Sequence, residues 1–172
     1  MDWNKKNNAW LLFSCFFVLC SCSISYKFDG GTINYAVTKT ISIQSFPIRS
    51  ALVYPNLSTI FDQKLRDRYI EQTRLLPVNN NADIEISGEI TGYDIQGTAV
   101  KDDAFSSMTR LTISIRVQYV NNKEENSNID QTFSAFREFP SDQSLDLVQE
   151  ALCREICSDL VDMIYNATVA NW

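Results

Sequence analysis

Histidine is missing from the sequence altogether. Its absence removes the commonest general base and the commonest metal ligand, and with them Ser-His-Asp and Cys-His catalysis in their usual forms. A Gly-rich phosphate loop, paired CxxC motifs and an HExxH helix are missing too. Two carboxylates, Glu85 and Glu89, fall on one face of a strand pattern. Four residues along a strand is about 13 Å, wider than the separation of a glycosidase pair. The expectation is a protein that is not an enzyme and needs neither a cofactor nor a metal.

Positive charge is also scarce. Fifteen Lys and Arg stand against twenty-one Asp and Glu, for a net charge of −6. A general nucleic-acid binder should be basic, so that class is set aside, and any contact with a polyanion must be local. No apolar run is long enough to cross a bilayer as a helix, which takes about 20 residues. The longest candidate, AWLLFSCFFVL from Ala9 to Leu19, falls short.

That short run is informative for what surrounds it. Lys5 and Lys6 precede it, and Leu19-Cys20-Ser21-Cys22 ends it. A basic start, a short apolar segment and small residues at its end form the layout of a secretory signal. The ending resembles the bacterial lipobox, with small Ser21 beside the scissile bond and the Cys22 thiol free to carry a diacylglycerol. Cys20 fits less well, because bulky Leu19 would sit at the cut. Residues 1–21 therefore read as a signal peptide, residues 22–34 as a lipid-anchored tether, and residues 35–172 as one domain. The mature part keeps 151 residues, with thirteen basic and twenty acidic side chains and a net charge of −7. That is long enough for a core of its own. Asp29-Gly30-Gly31 lets the domain stand off a membrane surface.

Of the five cysteines, Cys15 and Cys20 would leave with the signal, and Cys153 and Cys157 remain beside Cys22. The last two lie four apart in a helical pattern. A helix spaces such Cβ atoms by about 5–6 Å, against about 3.8 Å for a disulfide. They read as small buried hydrophobes.

Along the domain, Val37–Gln44 alternates as a first strand, with Ile41 and Ile43 on one face. Pro55-Asn56 opens a helix whose apolar positions are Leu57, Ile60, Phe61, Leu65 and Tyr69. Pro77 and Asn79-Asn80-Asn81 mark a turn. Asp83–Tyr93 is a second strand, with Ile84, Ile86, Gly88, Ile90 and Gly92 on one face. Gly97–Ser106 reads as a loop. Met108–Val120 is the clearest strand: Leu111, Ile113, Ile115, Val117 and Tyr119 alternate with Thr112, Ser114, Arg116 and Gln118. After a polar hairpin, Ile129–Phe139 is a fourth strand whose imperfect alternation points to a bulge. Pro140 ends it, and an apolar stripe from Leu145 to Ala167 predicts a helix over 142–169, about 42 Å long. The order is β-α-β-β-β-α. One-sided alternation favours antiparallel pairing of the last three strands, with both helices on the buried face. The fold class is α+β, a two-layer sandwich of a mostly antiparallel four-stranded sheet and two helices.

The ordered set of segments resembles a family. Pro55-Asn56-Leu57-Ser58, Gln72-Thr73-Arg74-Leu75, Gly88-Glu89-Ile90-Thr91-Gly92-Tyr93, Arg110-Leu111-Thr112-Ile113 and Ala170-Asn171-Trp172, behind a lipobox, look like the lipopolysaccharide-assembly lipoprotein LptE in its Bacteroidetes form. The resemblance spans nearly the whole mature chain and rests on the order and spacing of these stretches. It implies a lipid anchor in the outer membrane, on the periplasmic side or inside a barrel lumen. It also implies an LptD-type β-barrel as partner, lipopolysaccharide as ligand, and a part in placing that lipid in the outer leaflet. The alternative is a lipid-anchored periplasmic binding module that acts on envelope glycolipid or protein without a barrel. Arg110 and Arg116 share a strand face about 20 Å apart. They are the candidate contacts for a phosphorylated glycolipid, and the ordinary reading is that they are solvated strand arginines.

The lipobox reading is directly testable. Mass spectrometry of the mature N-terminus should find cleavage before Cys22 and a diacylglycerol on it, and Cys22→Ala should abolish both acylation and membrane retention. An uncut start, or a cut elsewhere without lipid, contradicts it.

Overall fold

The computed structural model describes residues 33–51, 54–98, 107–124 and 127–169. Residues 1–21, read above as a signal peptide, Cys22 and Ala170-Asn171-Trp172 lie outside the described residues. The elements are β1 (Thr40–Ile43), α1 (Leu57–Gln72), β2 (Leu76–Pro77), β3 (Ile84–Thr98), β4 (Met108–Asn121), β5 (Ile129–Pro140) and α2 (Leu145–Thr168). The predicted order stands, with β2 added as a two-residue strand. The mixed sheet runs β2-β1-β3-β4-β5. Strands β3, β4 and β5 pair antiparallel, and β1 is parallel to both of its neighbours.

Strand β4 carries the architecture. Its alternate residues Leu111, Ile113, Ile115, Val117 and Tyr119 are buried as their spacing predicts. Helix α1 buries Leu57, Ile60, Phe61, Leu65 and Tyr69, also as predicted. Helix α2 buries Cys153, Ile156, Cys157, Leu160, Val161 and Ile164. It begins three residues later than predicted, because Gln143 N–H bonds back to the Pro140 carbonyl and holds Ser141–Gln143 in a turn. The two helices clasp at their C-terminal ends. The Tyr69 and Thr168 hydroxyls hydrogen-bond, the Tyr69 and Tyr165 rings meet edge-on with centroids 5.4 Å apart, and Tyr165 Oη donates to the Gln72 carbonyl at 3.2 Å.

Two expectations about strand faces need correction. The bulge lies in β3, not β5. Ile90 pairs with Ile115 and Gly92 with Ser114, so Thr91 is the extra residue. One inserted residue flips everything beyond it. Gly92 therefore leaves the core face and Tyr93 enters it, 2% exposed, accepting a hydrogen bond from Gln149 Nε2 of α2. Strand β5 pairs with β4 in unbroken register from Ile129 to Pro140. Its alternation looks imperfect because Arg137 points to the helix side, where Glu155 and Asp159 of α2 receive it at 3.0 and 2.6 Å.

Gly88 is required by close approach. A Cβ there would stand 2.1 Å from the Arg116 carbonyl oxygen and 2.5 Å from the Phe46 ring. Phe46 is fully buried against Phe61, with centroids 5.0 Å apart. At the start of β3, Asp83 Oδ2 accepts from the Lys39 and Thr40 amides at 2.8 and 3.1 Å, and Lys123 Nζ stands 3.2 Å from Oδ1. The Lys39 amide above all holds the Asp83 carboxyl down at about 2. This clamp joins β1, β3 and the β4–β5 connection.

Ile115 is fully buried and Thr112 stands on the opposite face. Ile115→Ala should lower stability by about 2–5 kcal/mol, and Thr112→Ala by about 0.5 kcal/mol or less. Denaturant melts check it, and equal losses would mean the two faces of β4 are reversed.

Candidate functional site

Both helices pack on one side of the sheet, so the other side of the three long strands is open. Alternation sends Arg110, Thr112, Ser114, Arg116 and Gln118 of β4 to that side. Register sets Glu89, Gly92, Asp94 and Gln96 of β3 on one flank, and Asp130, Thr132, Ser134, Phe136 and Glu138 of β5 on the other. The face is mostly polar, with Phe136 as its exposed aromatic. Ser114 Oγ and Ser134 Oγ share a hydrogen bond of 2.8 Å at its centre.

The two predicted arginines lie on this face, one on each side of that serine pair. Neither is free. Arg110 donates from Nε and Nη2 to Glu138 Oε1 at 3.1 and 2.7 Å, and its guanidinium lies 4.2 Å from the centroid of the Phe136 ring. Arg116 grips Asp130 with two bonds, Nε to Oδ1 at 2.9 Å and Nη2 to Oδ2 at 2.8 Å, and Gln118 Nε2 adds a third at 3.2 Å. The Arg116 hydrogen bonds hold the Asp130 carboxyl below the usual carboxylate range, and Asp130 in turn raises Arg116. The pairs are solvent-exposed, so each contributes little to stability. Their consequence is electrostatic: the face offers paired charge rather than a bare cationic patch.

Sequence reasoning missed the partners. Asp130 and Glu138 become partners only once the β4–β5 register is set. Arg49 was missed as well. It follows β1 on a segment that runs beside β3, where Pro47 accepts from Ile90 N–H at 2.9 Å and Arg49 N–H donates to the Ile90 carbonyl at 2.8 Å. Arg49 Nε stands 3.5 Å from Glu89. Together with Arg116, Gln118 and Ser87 these two residues line an open depression of about 420 Å³. The signal available in advance was Pro47, four residues past the end of β1, which favours extended backbone at its neighbour.

Cys153 and Cys157 are free and fully buried. Burial pushes their thiols up to about 11 and about 12, which leaves them unreactive at neutral pH. Among the described residues no cluster of three or more His, Cys, Asp or Glu side chains could hold a metal ion. No described helix is long and apolar enough to cross a membrane.

The family model for lipopolysaccharide assembly, LptE, matches residues 38–168. That stretch takes in every element from β1 to the end of α2. The chain belongs to the LptE family. The family's members are lipoproteins without enzymatic activity. No curated protein matches the chain by sequence. Among solved structures, a minor lipoprotein from Acinetobacter baumannii is similar at 15% identity and a TM-score of 0.50, covering 78% of this chain and 94% of that one. A hypothetical protein from Chlamydia trachomatis is similar at 10% identity and a TM-score of 0.51, covering 78% and 99%. A protein from Xanthomonas campestris is similar at 12% identity and a TM-score of 0.52, covering 78% and 85%. At these identities the likeness is one of fold.

Proposed function

We propose that this LptE-family chain is a lipid-anchored outer-membrane protein. In this reading it occupies the lumen of an LptD-type β-barrel, helps that barrel assemble, and takes part in inserting lipopolysaccharide into the outer membrane. The observation that carries the reading is the open polar sheet face. A wide barrel has a polar, water-filled interior, and a plug inside it can leave one sheet face uncovered by helices. Two of the face's three long strands, β4 and β5, share an unbroken ladder. Its two arginines are already paired with Glu138 and Asp130, so meeting a polar wall strands neither cation. The lipid on Cys22 would hold the domain at the membrane without letting it span.

Arg110 and Arg116 enter this reading as exchangeable contacts. A lipid phosphate reaches either guanidinium by displacing Glu138 or Asp130, and Arg holds phosphate as well as carboxylate in two-point geometry. The contact is therefore weak and reversible at each arginine, as passage of a glycolipid requires.

The test is co-purification from detergent-solubilised outer membrane, combined with depletion in cells. The expected result is an outer-membrane barrel recovered with the chain, and a fall on depletion in both assembled barrel and surface lipopolysaccharide. Charge reversal at Arg110 and Arg116 should weaken lipopolysaccharide binding while barrel recovery persists. Normal amounts of both on depletion, with no barrel recovered, would replace the plug by the barrel-free binding module.

A further inference from the structure

At the opposite edge of the sheet, β2 covers only the first half of β1. Leu76 and Pro77 pair with Thr40 and Ile41. Val78 N–H then donates to the Ile41 carbonyl at 2.9 Å, and the chain turns away through Asn81, whose φ is 54°. Ile43 is left at the edge. Gln44 N–H donates inward to the Ile86 carbonyl of β3. Because in-plane groups alternate along a strand, the amide and carbonyl of Ile43 look outward. Among the described residues they have no main-chain partner.

A groove of about 400 Å³ opens beside them, between this strand edge and α1. Ile70, which is 49% exposed, Pro77 and Val78 supply apolar wall. Arg66 stands at the rim, with Nη2 3.5 Å from the Ile43 carbonyl. Among the described residues Arg66 enters no ion pair, whereas Arg49, Arg68, Arg110, Arg116, Arg137 and Arg154 each do. Asp62, one helical turn before Arg66, is engaged by Ser45 Oγ at 2.5 Å and the Phe46 amide at 3.1 Å.

A strand edge without a neighbouring strand, an apolar wall and a guanidinium that has no carboxylate partner among the described residues meet in one groove, where Arg66 Nη2 donates a long hydrogen bond to the edge carbonyl of Ile43. We infer that this groove binds an extended peptide segment of a partner protein by strand addition along Ile43, with an apolar residue against Ile70 and a carboxylate two positions away on Arg66. Main-chain bonds to the edge supply affinity and alternate side chains supply selectivity in this mode of recognition. Residues two apart in a strand project to the same side about 7 Å apart. One such segment therefore spans the apolar wall and the guanidinium. The carboxylate is the complementary charge for Arg66, which among the described residues has the Ile43 carbonyl but no carboxylate beside it. The site lies on the β1–β2 edge rather than on the open face of β3–β5, so it stands or falls separately from the barrel reading.

The probe is a fluorescein-labelled, amide-capped pentapeptide, Thr-Val-Thr-Asp-Thr, compared with Thr-Val-Thr-Lys-Thr on the full chain in detergent micelles. Anisotropy should show the aspartate peptide binding roughly fivefold tighter, the scale of one exposed ion pair. Arg66→Glu should reverse the order of the two peptides. Hydrogen exchange should slow over residues 41–45 when the aspartate peptide binds. The reversed order in Arg66→Glu also shows that the variant is folded. Equal binding of the two peptides, no binding by either, an order unmoved by Arg66→Glu, or protection over residues 129–140 instead, each overturns the proposal.

Discussion

The strict two-residue alternation of β4 is the constraint on which the molecule depends. Five apolar side chains from Leu111 to Tyr119 face one way, and five polar ones from Arg110 to Gln118 face the other. A sheet so built can bury only one face. Both helices must therefore share that face, and α1 and α2 meet there through Tyr69, Tyr165 and Thr168. Everything on the other face follows as a residue of this choice. It is a broad, mostly polar surface crossed by hydrogen bonds and ion pairs between strands. Shifting β4 by one residue would exchange the two faces and destroy both the core and the surface at once.

The charge pattern on that face is a second-order consequence of register. The β4–β5 ladder sets Arg110 against Glu138 and leaves Asp130 within reach of Arg116. A net acidic chain thereby presents arginines that are already satisfied. Such a face is compatible with a polar wall, and it can take a phosphate only by exchange. Arg66, one of the described cations without an ion pair, is elsewhere, at the edge that β2 leaves half covered. The molecule thus separates a broad surface whose arginines are paired with carboxylates from a small groove whose arginine is not.

Much of the fold was legible because long amphipathic elements advertise themselves. The α1 stripe and the β4 alternation were read residue for residue. Other features were hidden for physical reasons. Thr91 is polar on either face, and Gly88 and Gly92 carry no side chain to mark a side, so nothing in the pattern revealed the bulge that turns Tyr93 inward. Arg137 reads as a surface residue until Glu155 and Asp159 of α2 are brought beside it. Strand β2 is two residues long, with Leu76 exposed and Pro77 unable to donate, so it has no periodicity to detect. In the candidate site, the shared face of Arg110 and Arg116 was legible from their even spacing. Their carboxylate partners were not, because the polar connection between β4 and β5 does not announce its register.

The central claim is that the open face of β3–β5 meets the barrel partner. Site-specific photo-crosslinking in living cells tests it most directly, with a benzophenone side chain placed at Thr132 or Ser134 on that face and at Ser158 on the solvent side of α2. All three positions are exposed, so insertion should not disturb the core. The account predicts adducts between Thr132 or Ser134 and an outer-membrane β-barrel. Adducts from Ser158 alone, or none from the open face, would contradict it.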